Sequence, residues 1–137
     1  MSHGSDQFKS PEIVQLATVG TEHSDYHGHM HSTAGLRLMG KAATAAATSL
    51  LNMPMIALST ERVAFLAPVP VGHMIAFRSE VAVLGDDRFR VSVEGMTRLG
   101  NGASARCVMT GSFLLVAVDE EGRPISTPNR RLAAQVA

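Results

Sequence analysis

The stretch HSDYHGHMH, residues 23–31, carries four of the chain's six histidines and an aspartate in nine positions. Residues of these types suit three kinds of chemistry. Imidazoles ligate metals, a carboxylate can attack or deprotonate, and an aspartate ahead of a glycine can simply close a turn. His27, His29 and His31 alternate, so an extended backbone puts them on one face. Residues two apart on a strand are roughly 6.6 Å apart, wide for neighbouring zinc ligands that each sit roughly 2.1 Å from the ion. A metal site is therefore not expected. Asp25 gains interest from its position, because a helical pattern begins at Ser32. The unpaired N–H groups of a helix start, helped by the helix dipole, stabilise a developing oxyanion. A carboxylate within reach of such donors can attack an acyl carbonyl or activate water against it. The simpler alternative is that Asp25 forms an Asx turn or a cap and Gly28 permits a tight turn. Serine chemistry finds no support, since Ser24 and Ser32 lie outside any Gly-x-Ser-x-Gly elbow. Cys107 falls mid-strand among apolar residues and reads as a small buried side chain. Phosphate-binding and dinucleotide-binding glycine runs are missing, and no cofactor is expected.

The loop must be positioned by the elements around it. EIVQLATVGT (12–21) has β-branched residues and ends in Gly-Thr, so it reads as a strand entering the loop. From Ser32 the period changes to that of a helix: Leu36, Met39, Ala43, Ala46, Ala47 and Leu50 form one stripe, and Arg37, Lys41, Thr44 and Thr48 a second. Ser32 or Thr33 is the expected N-cap, and Asn52 before Pro54 supplies the stop. The alanine-rich face lets a sheet approach the helix closely along its length. Downstream the period becomes two. Strands are expected over 55–69, 73–85, 88–100 and 103–119, with turns at Gly85-Asp86-Asp87 and Asn101-Gly102 and hairpin connections that make the strands antiparallel. One strand, a long helix and four strands give an α+β fold with the helix on one face of a curled sheet.

Composition narrows the function classes. Acidic and basic residues balance at 12 each, so no global field favours nucleic acid or an anionic membrane. A single cysteine excludes a disulfide framework and a multi-cysteine zinc site and suits a reducing cytoplasm. No apolar run approaches the roughly 20 residues that span a bilayer, and the N-terminus lacks an apolar signal core. The chain of 137 residues is expected to be one domain, with residues 1–10 and 129–137 as mobile ends. Its apolar content, with few aromatics, is consistent with surface left for a partner subunit.

The residues DYHGHMH (25–31) resemble an Asp-Tyr-Asn-Gly-His-Met-Asn stretch of the hotdog-fold acyl-CoA thioesterases, with His27 and His31 standing where that branch has asparagine. In the related 4-hydroxybenzoyl-CoA thioesterase branch, an aspartate three residues before a glycine is the catalytic carboxylate, which maps onto Asp25 and Gly28. STERVAFLAPVPVG (59–72) is similar to the family's strand that ends in Phe, a short link, Pro-Val and Gly. VAVDEEGRP (116–124) is similar to its closing strand and turn. The resemblance covers roughly residues 12–128. It implies a hotdog fold, one long central helix wrapped by an antiparallel sheet of about five strands. It implies hydrolysis of an acyl-CoA to free acid and CoA, with Asp25 as nucleophile or general base, the Ser32 N–H polarising the thioester carbonyl, and His29 and His31 positioning the acyl group or water.

A homo-oligomer is also implied, a dimer or a dimer of dimers, with sites formed across the dimer interface so that Thr60 and Arg62 reach the partner's pocket. Arg88, Arg90, Arg98, Arg130 and Arg131 are the candidates for the CoA phosphates. One departure stands out: where related helices begin with His-Gly-Gly or Gly-Gly, a catalytic carboxylate follows about two turns later, and the same count from His31 reaches Gly40. A mid-helix glycine costs about 1 kcal/mol relative to alanine. Gly40 therefore either opens space beside a ligand or allows close packing. Thr44, one turn on, matches a threonine that orients water in that branch. Two rivals remain. An enoyl-CoA hydratase would need a histidine five positions after the aspartate, where this chain has Met30; a noncatalytic acyl-binding dimer would fit the loss of the helix carboxylate. The identity of the acyl group is not written in the sequence.

Overall fold

The alanine-rich segment forms one unbroken helix, α1 (Ser32–Leu51), in the computed structural model, which describes residues 12–25, 27–85, 87–100 and 104–125. The other elements are β1 (Ile13–Thr18), a 3₁₀ turn (Thr21–His23), β2 (Met55–Phe65), β3 (Met74–Val83), β4 (Arg88–Arg98) and β5 (Ala105–Ala117). They form one five-stranded sheet in the order β1-β3-β4-β5-β2, every neighbouring pair antiparallel. This is the expected α+β architecture, one central helix against an antiparallel sheet.

Helix and sheet meet through small and aromatic side chains. Met39, Ala42, Ala43, Ala46, Ala47 and Leu51 are buried on α1 and pack with Ile75, Phe77, Val91, Val93, Phe89, Phe113 and Leu115. Three of the five phenylalanines fill the space that the alanines leave open. In such a core an added methylene would overpack by about 1–3 kcal/mol. Gln15 ties β1 to the helix by donating from Nε2 to the Ala42 carbonyl at 2.9 Å. The buried stripe differs at both ends from the one the periodicity predicts: Leu36 is exposed and Leu50 half-buried, while Ala42 and Leu51 enter the core. An exact 3.6-residue turn rotates the face past a stripe chosen on side-chain type alone.

The helix stop is as read, with Asn52 left-handed at φ 56° and its N–H donating to Thr48. The start is not. The N-cap is His31, whose Nδ1 accepts from the Ala34 N–H at 3.1 Å, so the cap is an imidazole rather than the hydroxyl of Ser32 or Thr33. Beyond the end of β1 at Thr18, the Val19 N–H donates to the His73 carbonyl and the Val19 carbonyl accepts from the Gly72 N–H, and the 3₁₀ turn begins at Thr21. The expected run of hairpins fails at one place: β2 pairs with β5, and the link through Pro68 and Pro70 carries the chain to the far side of the sheet. Prolines cannot continue a ladder, so this connection crosses instead of folding back. Asn101-Gly102, Tyr26, Asp86, the two chain ends and Arg130 and Arg131 lie outside the described residues.

Candidate active site

Asp25 organises its own loop. Its Oδ1 accepts from the N–H groups of His27 at 2.8 Å and His29 at 3.1 Å, and its backbone N–H donates to the His29 carbonyl at 2.8 Å. Ser24 and Met30 then form a bridge, and His29 bridges to Pro70. The Asx turn considered above is therefore present. The two N–H donors, His29 first, hold the Asp25 carboxyl below its ordinary range, so it is ionised at neutral pH. Gly28 sits at φ 77° within this turn. Gly28→Ala has open space for its methyl group but adopts the left-handed conformation at a cost of about 1–2 kcal/mol. Gly28→Asn, which tolerates that conformation, is expected to melt closer to wild type; equal melting of the two variants would show that the turn relaxes.

The histidines are spent differently from one another. His23 Nδ1 accepts from the Gly20 N–H at 3.0 Å, and the His23 carbonyl receives the His31 N–H at 2.9 Å. His31 Nδ1 is occupied by the helix cap. These imidazoles therefore brace backbone, and among the described residues no group of three His, Cys, Asp or Glu side chains converges as metal ligands. His27 is exposed and His29 half-buried.

His31 stands between two cavities. One, of about 190 Å³, is lined by Met30, His31, Ser32, Phe65, Leu66 and Met109 with the Ala67–Val69 link. It is apolar apart from the helix start, and the Ser32 and Thr33 N–H groups have no acceptor within the helix. The other, of about 310 Å³, is lined by Glu22, His23, His31, Ala34, Arg37, Leu38 and Lys41. Arg37 and Lys41 lie one turn apart on the same helix face. In the sequence they stand in a polar stripe and were not among the expected site residues; their four-residue spacing after a histidine was the available signal that they line a cavity beside it. Asp25 lines neither cavity and is exposed at the loop beside them.

Gly40, Thr44 and Thr60 meet in a third, open cavity of about 520 Å³ between α1 and β2, with Lys41, Ala45, Thr48, Ala57 and Phe113. A methyl group on Gly40 would touch only the Phe113 ring, at 3.6 Å. Gly40 therefore opens space and is not required by close packing. Arg62 lies just beyond, at φ 56° in the irregular register between Glu61 and Ala64.

Arg88 and Arg90 do not join these residues. On β4 the side chains of Phe89, Val91 and Val93 face the helix, which turns Arg88, Arg90 and Arg98 to the opposite face. Arg90 pairs with Glu61 at 3.3 Å, and Arg88 lies 4.0 Å from Asp87. The period-two alternation that exposes these arginines is the reason they point away from the loop. Cys107 is half-buried, burial pushes its thiol up, and its Sγ lies 3.4 Å from the Met109 carbonyl. It is a poor nucleophile.

Comparison with known proteins agrees with this architecture. A Zymomonas mobilis protein named as an uncharacterized acyl-CoA thioester hydrolase is 25% identical over 118 residues, 86% of this chain and 78% of that protein. Among solved structures, an acyl-CoA hydrolase mutant from Staphylococcus aureus in complex with coenzyme A superposes with a TM-score of 0.77 at 19% identity, covering 90% of this chain and 72% of that one. A mutant of a hexameric broad-specificity acyl-coenzyme A thioesterase gives 0.79 at 18% identity, covering 90% and 94%. These likenesses establish the hotdog fold. The sequence profile of the thioesterase superfamily matches residues 27–101, from the histidine loop through α1 and the next three strands. The family recognised from the loop motif and the enzyme class expected from it, a thioester hydrolase, both hold. With that profile spanning more than half of its length, the chain belongs to the thioesterase superfamily.

Proposed function

We propose that the chain, residues 1–137 read as one cytoplasmic domain, hydrolyses acyl-CoA thioesters, with Asp25 as nucleophile or general base and the N-terminus of α1 as the oxyanion site. The observation that carries this reading is the position of His31, which caps the helix and separates an apolar cavity from one lined by cations. A thioester at the helix start would send its acyl group toward Met30, Phe65 and Met109 and its phosphates toward Arg37 and Lys41. In the general-base form, ionised Asp25 takes a proton from water as the water oxygen bonds to the carbonyl carbon. The Ser32 N–H stabilises the resulting oxyanion. Collapse breaks the C–S bond, and the proton passes from Asp25 to the departing thiolate. His29 and His31 orient the acyl group or the water, Gly28 holds the loop, and Gly40 and Thr44 border the substrate.

The site is completed by a second copy. β2 is an edge strand with Ile56, Leu58 and Phe65, and Leu66 just past its end, exposed by 40–55%, and such an edge pairs with another chain unless it is blunted. Pairing along β2 would cover the open cavity at Gly40, Thr44 and Thr60 and bring Arg62 to the neighbour's pocket. The relatives named above as binding coenzyme A and as hexameric support a CoA substrate and an oligomer. We take the β2-paired dimer as the unit.

The test is thiol release from short, medium, long and aromatic acyl-CoAs. Arg37→Gln and Lys41→Gln are each expected to raise KM about fivefold, the equivalent of an exposed charge contact of about 1 kcal/mol, with kcat little changed and the effect shrinking in high salt. Hydrolysis with unmoved KM in both variants would take the phosphates away from this cavity. Absence of hydrolysis across the panel, with ligand-dependent thermal stabilisation, would replace the enzyme with the binding dimer.

A further inference from the structure

The apolar cavity at the helix start has a wall seated on glycine. Gly35 is buried in the first turn of α1, where a glycine is disfavoured against alanine, so the helical backbone supplies no reason for it. Space does. A methyl group there would come within 2.9 Å of Phe65 Cε1, 3.3 Å of Met30 Cε and 3.5 Å of Met109 Sδ. The same three side chains line the cavity of about 190 Å³, so each touches both the cavity and the bare backbone of the helix. Gly95 repeats the device on the sheet. It pairs with Met109 in the ladder between β4 and β5, and a methyl group on it would lie 2.8 Å from Met109 Cγ. Met109, fully buried, is thus held in a slot between one glycine of α1 and one of β4.

Volume and polarity limit what such a cavity takes. A dry apolar cavity of about 150 Å³ accepts benzene, and volume in proportion allows about six to eight carbons here. The polar side chains of the lining are His31 and Ser32, both at the helix start. A second carboxylate or a hydroxyl carried into the apolar end would meet no partner, and its desolvation is costly. Phe65 is 42% exposed, which makes it the part of the wall with room to move. A group added at position 35 displaces its ring from the helix at the expense of the cavity.

We infer that Gly35 sets the length of the acyl group: by letting Met30, Phe65 and Met109 lie against the helix, it leaves room for an uncharged apolar chain of at most about eight carbons. The inference rests on the hydrolytic reading above for the direction in which the acyl group points, and it names the class of substrate. A longer chain has to displace Met109 from the slot that Gly95 closes. A shorter one leaves part of the wall without contacts, which weakens its binding.

Thiol release by the full-length protein from acetyl-, hexanoyl-, dodecanoyl- and succinyl-CoA gives the first readout, taken as ratios of kcat/KM. One methylene in an apolar pocket discriminates by about tenfold or more, so hexanoyl-CoA is expected to exceed dodecanoyl- and succinyl-CoA by at least about that factor. Gly35→Ala should lower the hexanoyl-to-acetyl ratio about tenfold, and Met109→Val, which shortens the wall, should raise the dodecanoyl-to-hexanoyl ratio. A merely structural role moves all four substrates together and leaves the ratios unchanged. The second readout needs no turnover. Isotope-labelled methionine methyl groups are followed by NMR during titration with CoA and with the thioether S-hexyl-CoA, which has no carbonyl to hydrolyse. Met30 and Met109 should shift with S-hexyl-CoA and not with CoA, while Met74 and Met96, on the sheet face turned away from α1, stay in place. Those shifts without hydrolysis would remove the enzyme and keep this cavity as the acyl site. Hydrolysis with equal rates on hexanoyl- and dodecanoyl-CoA, with ratios unmoved by Gly35→Ala, or with Met30 and Met109 unmoved would overturn the inference and leave the hydrolytic reading intact. Neither hydrolysis nor shifts would overturn both.

Discussion

Asp25→Asn is expected to lower acyl-CoA turnover by about 100- to 10,000-fold, the usual contribution of a positioned acid or base, while its melting temperature stays near that of the wild type. The amide retains an acceptor oxygen for the His27 and His29 N–H groups that now bind Oδ1, so the turn survives and only the charge is lost. Asp25→Ala removes both and should melt lower as well as lose activity. The comparison separates the two uses of this residue. If Asn supports full turnover, the carboxylate is a turn former and the chemistry lies elsewhere. The pH dependence follows from the same bonds. The folded carboxyl is held below its ordinary value of 3.8, so its contribution to stability is complete above that value and is lost as pH falls through the lower folded one. Activity that needs the ionised form should accordingly persist on the acid side beyond the range of an unperturbed aspartate, and an acid limb centred well above 3.8 in kcat/KM would count against Asp25 as the group titrated.

Leu58→Glu is expected to separate the β2-paired copies, halving the mass of the assembly and lowering turnover at least tenfold. Leu58 is 47% exposed on the edge strand, at the irregular register between Ala57 and Ser59. A carboxylate introduced there would have to be desolvated in the forming interface, at a cost of several kcal/mol. An added charge on an edge is also what isolates edges in monomeric proteins. Turnover falls with mass because the cavity at Gly40, Thr44 and Thr60 loses its cover. Retention of wild-type mass and activity by Leu58→Glu would remove β2 from the dimer.

The sequence predicts the helix and strands because each rests on local periodicity. Twenty residues of alanine-rich helical pattern and the alternation Phe89, Val91, Val93 in β4 are properties of neighbouring residues, as is the left-handed stop at Asn52. The turn at Asp25 is likewise local, since an aspartate reaches backbone two and four residues on without help from the rest of the fold.

What the sequence by itself determined was therefore the set of elements, the family and the residues of the loop. Tertiary structure decided which of them meet. Only the crossing through Pro68 and Pro70 puts β2 beside β5, and only that pairing brings Thr60 to Gly40 and Thr44 across the helix. The same sheet sends Arg88 and Arg90 to the face that the helix does not cover, and the fold of the loop sets Glu22 and His23 beside Arg37 and Lys41 of the helix. Spacing along a chain fixes which face a side chain takes. It does not fix what that face is packed against, because long-range strand order depends on contacts between residues far apart in sequence.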